Sequence, residues 1–211
     1  SSPVGIDCGS TCSADFNETT VVTLSAIPDT NSSFIGWSGD CTGTNTTCTV
    51  TMNAAKNVTA TFNIHTLVFG VSADPTPGNK DCRIDSCTYN SSVLDFGNMN
   101  IITKNHISKY KAVQIHVETD AVTYTISSSV DHALQHFSMV IPFERFKYKN
   151  TNDTDWQTSS TNSQIIVSTQ SGPTAGSDYY VDYDLQLTNQ DYYLPPGIYN
   201  NTIIYTISAT Y

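Results

Sequence analysis

Strict period-two alternation runs through most of this chain, and helical periodicity is almost absent. A chain patterned this way can bury its apolar residues only on the faces of β-sheets. In the final run, Tyr199, Asn201, Ile203, Tyr205, Ile207, Ala209 and Tyr211 share one face, while Asn200, Thr202, Thr206 and Ser208 fall mostly on the other. Val181, Tyr183, Leu185 and Leu187 read as inward, with Asp182, Asp184, Gln186 and Thr188 on a wet face. Val113, Ile115 and Val117 alternate in the same way with Gln114, His116 and Glu118. These patterns predict antiparallel sheets with one solvated face. The one helix-like stretch is Asp131-His132-Ala133-Leu134-Gln135-His136, and it is short.

The chain divides near Asn63-Ile64-His65, predicting a small β module over 1–63 and a larger β-domain over 64–211. The second segment carries strand patterns near 66–73, 112–119, 122–128, 137–142, 144–149, 163–169, 180–188 and 198–210, a number that suits a β-sandwich. Asp74 to Cys87 and Asn150 to Asn162 read as polar loops, and Pro195-Pro196-Gly197 breaks the chain before the last strand.

Six cysteines fall into close couples: Cys8 with Cys12, Cys41 with Cys48, and Cys82 with Cys87. Each couple lies in one turn-rich stretch, so adjacent pairing into disulfides is favoured and an oxidising compartment follows. Zinc is the rival reading, but it favours Cys-x2-Cys couples, and none of these spacings matches. Seven Asn-x-Ser/Thr triplets begin at Asn17, Asn31, Asn45, Asn57, Asn90, Asn152 and Asn200. Such acceptors for N-linked glycan, spread from end to end, predict an extracellular glycoprotein. Only 13% of the residues are charged, so a sugar coat would also keep the surface soluble.

The net charge of -10 argues against nucleic acid and against an anionic membrane surface, because little here would neutralise phosphates. No apolar run approaches the ~20 residues of a membrane helix, so membrane insertion is not expected. No secretory leader is present, and an exported chain of this sequence would be a mature form or a piece of one.

The stretch Gly5-Ile6-Asp7-Cys8-Gly9 through Cys12, then Val21-Val22-Thr23-Leu24-Ser25-Ala26, then Phe34-Ile35-Gly36-Trp37-Ser38-Gly39, continues through Cys41 and Cys48 to Val50-Thr51-Met52 and closes on Val58-Thr59-Ala60-Thr61-Phe62. This segment resembles the divergent InlB B-repeat family of prokaryotic surface proteins. The resemblance implies a small β-grasp-like module with a spacer or assembly role and no catalytic residues. Trp37 reads as the core anchor of a domain too small to bury much else, with a sugar-stacking platform as the alternative. Members of the family carry a strand immediately before the Ser-Pro-x-Gly-Ile segment. Here that segment stands at Ser1-Ser2-Pro3, so either the chain is truncated or a neighbouring subunit supplies a strand to an open edge.

Val93-Leu94-Asp95-Phe96-Gly97, the Val113 to Thr119 and Val122 to Ser127 runs, and Pro196-Gly197-Ile198-Tyr199 are similar to the spore-coat-U-like and pilin-like β-sandwiches of secreted fibres. That likeness, over residues 66–211, implies an immunoglobulin-like fold and assembly into surface fibres, sometimes through donated strands.

The sequence offers little chemistry. It has no nucleophile elbow, His-Glu-x-x-His, phosphate loop or dinucleotide fingerprint. His132 and His136 could share a helical face without a third ligand, and His65, His106 and His116 are isolated. Asp178, Asp182 and Asp184 on one strand face, and Asn152, Asp153 and Asp155 in one loop, could approach Ca2+, although a solvated face and a polar loop explain them as well. The doublets Tyr179-Tyr180 and Tyr192-Tyr193 should each send one ring inward and one outward, which serves a core or an interface.

No enzyme, metal or cofactor is therefore expected, apart from N-linked glycans. The chain reads as an all-β extracellular subunit of a cell-surface filament, with copies of itself as partners through strand exchange. Ser1 to Ile6 would enter a neighbour, or Tyr199 to Tyr211 would receive a strand. The alternative is a carbohydrate- or protein-binding module of a larger secreted adhesin.

Overall fold

A computed structural model of the chain describes residues 1–100, 102–191 and 193–211. The fold is all-β, with two short 3-10 turns at Phe143–Arg145 and Asn189–Asp191. The chain forms two compact units, Ser1–Thr66 and Leu67–Tyr211.

The first unit holds four strands: β1 (Val21–Ser25), β2 (Ser32–Gly39), β3 (Thr47–Thr51) and β4 (Val58–Ile64). β1 pairs antiparallel with β3, and β2 with β4. Alternation sets the core. Val22 lies opposite Val50, and Leu24 opposite Cys48. Val22, Cys48 and Val50 are buried, with Phe16, Trp37, Met52 and Val58 packed against them. So small a core gains from cross-links. Disulfides join Cys8 to Cys12 and Cys41 to Cys48. Gly39 turns the chain out of β2 at φ +92°, where a Cβ would sit 2.2 Å from the Asn57 carbonyl oxygen. Asp40 then takes the Asn57 N–H at 2.6 Å, and this bond and the nearby Lys56 hold its carboxyl below the usual range.

The second unit begins with β5 (Leu67–Ala73), β6 (Lys80–Asp81), β7 (His106–Thr119) and β8 (Thr123–Val130). A hairpin of β9 (Leu134–His136) and β10 (Met139–Ile141) leads to β11 (Phe146–Asn150) and β12 (Gln157–Thr158). The last three strands are β13 (Gln164–Ser171), β14 (Thr174–Gln186) and β15 (Ile203–Thr210). One sheet runs β12-β11-β14-β7-β5, with β6 parallel to β7, and the other runs β13-β8-β15. They enclose one core, in which Ile115, Val117, Ile126 and Val181 are completely buried. Two tyrosine pairs join the sheets through their hydroxyls: Tyr124 with Tyr179 at 2.5 Å, and Tyr183 with Tyr205.

Several sequence expectations need correction. The helix-like stretch at 131–136 instead supplies β9, because Leu134 and Ile141 reach the core from the two arms of a hairpin. Phe137 sits at its tip with φ +53°. β7 starts six residues before the predicted position of 112. A bulge at Lys111, φ +49°, shifts the register between β7 and β14, so the alternation breaks there and hides the first half of the strand. That hidden half carries Lys109, fully buried, on the core side. Its ammonium donates to the carbonyls of Thr76 and Asp95, pinning the long loop after β5 onto the sheet. Asp182, expected on a wet face, is also fully buried. It accepts the Lys111 N–H at 2.8 Å and the Thr151 hydroxyl at 2.5 Å, and lies 3.7 Å from Lys149. The last strand begins at Ile203, because Asn200 is held by Gln135 instead of by β8.

Candidate functional site

The sandwich is least complete along the outer edge of β15. Antiparallel pairing with β8 matches Ile204 to Ser129, Thr206 to Ser127, Ser208 to Thr125 and Thr210 to Thr123. The Asp131 N–H donates to Thr202, which places the even-numbered residues of this run on the β8 side of the ladder. The backbone groups of Ile203, Tyr205, Ile207 and Ala209 therefore point away from β8. Among the described residues no strand pairs with them.

The side chains of these four residues face the core, yet they are only half-buried. On neighbouring β8 the inward Tyr124, Ile126 and Val130 are 0–4% exposed. The first sheet thins in the same direction: Ile115 and Thr119 on β7 are buried, whereas Val71 and Leu67, their partners on β5, are 40% and 42% exposed, and Phe69 between them is half-buried. The Asn150 amide donates to the Ile166 carbonyl at 3.1 Å, which seats β13 by β11 and leaves β15 at the β7–β5 side. The uncovered apolar residues of both sheets thus lie along one flank.

Natural edge strands are usually blunted by Lys, Pro or a bulge. β15, Ile203–Thr210, has none of these. No residue of β8, β13 or β15 is charged, in a chain of net charge -10. The absence of Lys and Pro from Ile203 to Thr210 was visible in the sequence; the openness of the edge was not.

In the first unit the outer edge of β1 is engaged by the chain's own Ser2. Ser2 and Thr23 exchange both backbone hydrogen bonds, at 2.9 and 2.8 Å. The Ser1 ammonium also donates to Ile6, so Ser1 to Ile6 is folded back and is not a free extended arm. Trp37 packs beside Phe34 at 5.2 Å and donates its indole N–H to Asn45.

The predicted polar clusters do not converge. Asp178 takes His116, Asp182 takes Lys149, and Asp184 takes His106 and Ser108. Asn152, Asp153 and Asp155 stay exposed in their turn. His132 pairs with Asp131, while His136 donates to the Ile198 carbonyl and lies against Phe137 and Tyr199. The Tyr179 ring joins the core and Tyr180 faces outward beside Tyr89 and Lys111. Of the second doublet, Tyr192 lies outside the described residues and Tyr193 is exposed. One group of metal-ligand type forms among the described residues, Asp74 with Cys82 and Cys87, and its two sulfurs are joined in a disulfide.

Sequence reading missed the meeting of His106, Ser108 and Asp184 by a shallow cleft of about 420 Å³. The spacing His-x-Ser on one strand was its only signal. Asp184 Oδ1 accepts from Ser108 Oγ at 2.5 Å and from His106 Nε2 at 2.6 Å. A nucleophile relay needs opposite ring nitrogens for the acid and the hydroxyl. Here the same nitrogen faces both, so the arrangement is a hydrogen-bond cluster.

All seven sequon asparagines are exposed. None uses its side-chain amide in a hydrogen bond among the described residues, whereas Asn79, Asn100, Asn150 and Asn201 do. None of the seven lies on β8, β13 or β15.

No curated protein matches this chain, and no solved structure matches it. Nothing found supports the likeness of residues 66–211 to spore-coat-U-like or pilin-like proteins, so the sandwich stands on its own geometry. Residues 7–66 match the family described as the divergent InlB B-repeat domain, and this match, together with the three disulfides, points to a secreted or surface protein whose first unit is a repeat of that kind.

Proposed function

We propose that this chain is a structural subunit of an extracellular, N-glycosylated surface fibre, and that its copies join by β-strand addition. The outer edge of β15 carries the reading. It offers unpaired backbone groups beside a half-covered apolar core, in an uncharged sheet that no sequon residue interrupts. An added strand there would satisfy the backbone and bury side chains in the same step. The role is mechanical, with ladder hydrogen bonds and buried rings carrying load between subunits. The free amides of Asn17, Asn31, Asn45, Asn57, Asn90, Asn152 and Asn200 would carry glycan over the remaining surface.

The test compares the full chain with Ala209→Pro by light scattering and electron microscopy. Proline removes an N–H that faces away from β8, so the internal ladder survives while the edge loses a donor. The wild type should form oligomers or polymers, and the variant should dissociate at roughly tenfold lower dilution, as expected for ~1.4 kcal/mol, with an unchanged circular dichroism spectrum. A wild type that stays monomeric up to about millimolar concentration, which corresponds to only ~4 kcal/mol of association, would refute the proposal.

A further inference from the structure

Resting on that reading, the geometry points to β15 of a second copy of this chain as the strand that the β15 edge receives, antiparallel and about a two-fold axis through Thr206. Three observations lead there. The first is parity. The outward-facing residues are Ile203, Tyr205, Ile207 and Ala209, evenly spaced about Thr206. Centred on Thr206, Ile203 meets Ala209 of the other copy and Tyr205 meets Ile207, so all four find hydrogen-bonded partners. Shifting the centre by one residue sets one of them against a residue outside β15, Tyr211 or Asn201.

The second observation is facing. The same four side chains point to the core side. In an antiparallel pair, residues directly opposite share a face. Tyr205 and Ile207 of each copy would therefore cover one another's half-exposed flank. On the other face Thr206 would meet itself, and Ile204 would meet Ser208.

The third is charge. Each copy carries a net charge of -10, so most surfaces repel their own kind. The β13-β8-β15 sheet is uncharged from edge to edge, and copies can meet there without like charges in register. A charged partner would gain nothing from this surface. An identical uncharged edge satisfies it completely, and joins two three-stranded sheets into one of six strands. Such an isologous contact closes on itself. A fibre would then need a second, separate contact elsewhere on the subunit.

Cysteine cross-linking tests the register. Every native cysteine is in a disulfide, so one introduced thiol stands alone. In the full chain, Thr206→Cys would face its own copy at a close, non-hydrogen-bonded position suited to a disulfide. Under mild oxidation it should form covalent dimer on the order of tenfold faster than Ser208→Cys, because the thiols are held at high effective concentration. Ser208→Cys should cross-link when mixed with Ile204→Cys. If the wild type assembles and Ala209→Pro weakens it, yet Thr206→Cys is no faster than Ser208→Cys, the two-fold pairing is wrong and strand addition stands. If the wild type is monomeric and Thr206→Cys gains no advantage, both fail.

Discussion

Replacing Tyr205 by Phe should make the protein less stable at neutral pH and relatively more stable in alkali. Tyr205 is the side chain that holds β15 across the core, with its hydroxyl on that of Tyr183. Burial raises both phenols well above their ordinary pKa, and Ser128 also contacts Tyr183. Losing the pair's hydrogen bond should cost about 1 kcal/mol at pH 8. The sign reverses in alkali. A phenol whose folded pKa is raised contributes stability that is present below its unfolded value, about 10, and is lost as pH rises toward the folded one. One unit above that unfolded value, each such tyrosine has lost about 1.4 kcal/mol of stability. Tyr205→Phe removes one of the two titrations. Its stability curve should therefore cross that of the wild type near pH ~10.7, from the balance of those two magnitudes. Urea unfolding followed by fluorescence between about pH 8 and 11 reads this directly. Parallel curves, with a constant gap between the two proteins, would show that Tyr205 ionises as freely folded as unfolded, and would refute the burial of its hydroxyl.

Lys109→Met removes the donor that serves the Thr76 and Asp95 carbonyls and should cost about 2–4 kcal/mol, measured by chemical denaturation; a neutral substitution would mean that the loop is held by other contacts. Gly39→Ala should destabilise the first unit by about 1–3 kcal/mol, since its φ is positive and its Cβ would meet the Asn57 carbonyl, and a two-step thermal scan should show the loss in one transition. The bonds to Asp178 and then Glu118 raise the pKa of His116, so its stabilising contribution is present below about 6.5 and is lost as pH rises through the folded value. Asp178→Asn should lower the NMR midpoint of that histidine, and an unmoved midpoint would contradict the contact.

How much of this was legible is clearest strand by strand. The alternation of Val181, Tyr183 and Leu185 was read correctly, because these residues lie on a strand whose inward face is wholly apolar. The first half of β7 was not read. Its inward face includes Lys109, and the bulge at Lys111 interrupts the alternation between Lys109 and Val113. Asp182 failed for the same kind of reason. A carboxylate reads as wet until a lysine, a hydroxyl and an amide arrive from distant parts of the chain to receive it.

Residue order alone determined that this chain must form sheets and, where no bulge intervenes, which residues share a face, since side-chain period is a local property of the backbone. It also marked the repeat-like first unit, through a run of residues that is contiguous in the chain. Which strand is left without a neighbour is not local. β15 has the same alternation as β8, yet β8 is flanked on both sides and β15 on one. That distinction arises from the long-range pairing of strands, and only the tertiary structure decided it.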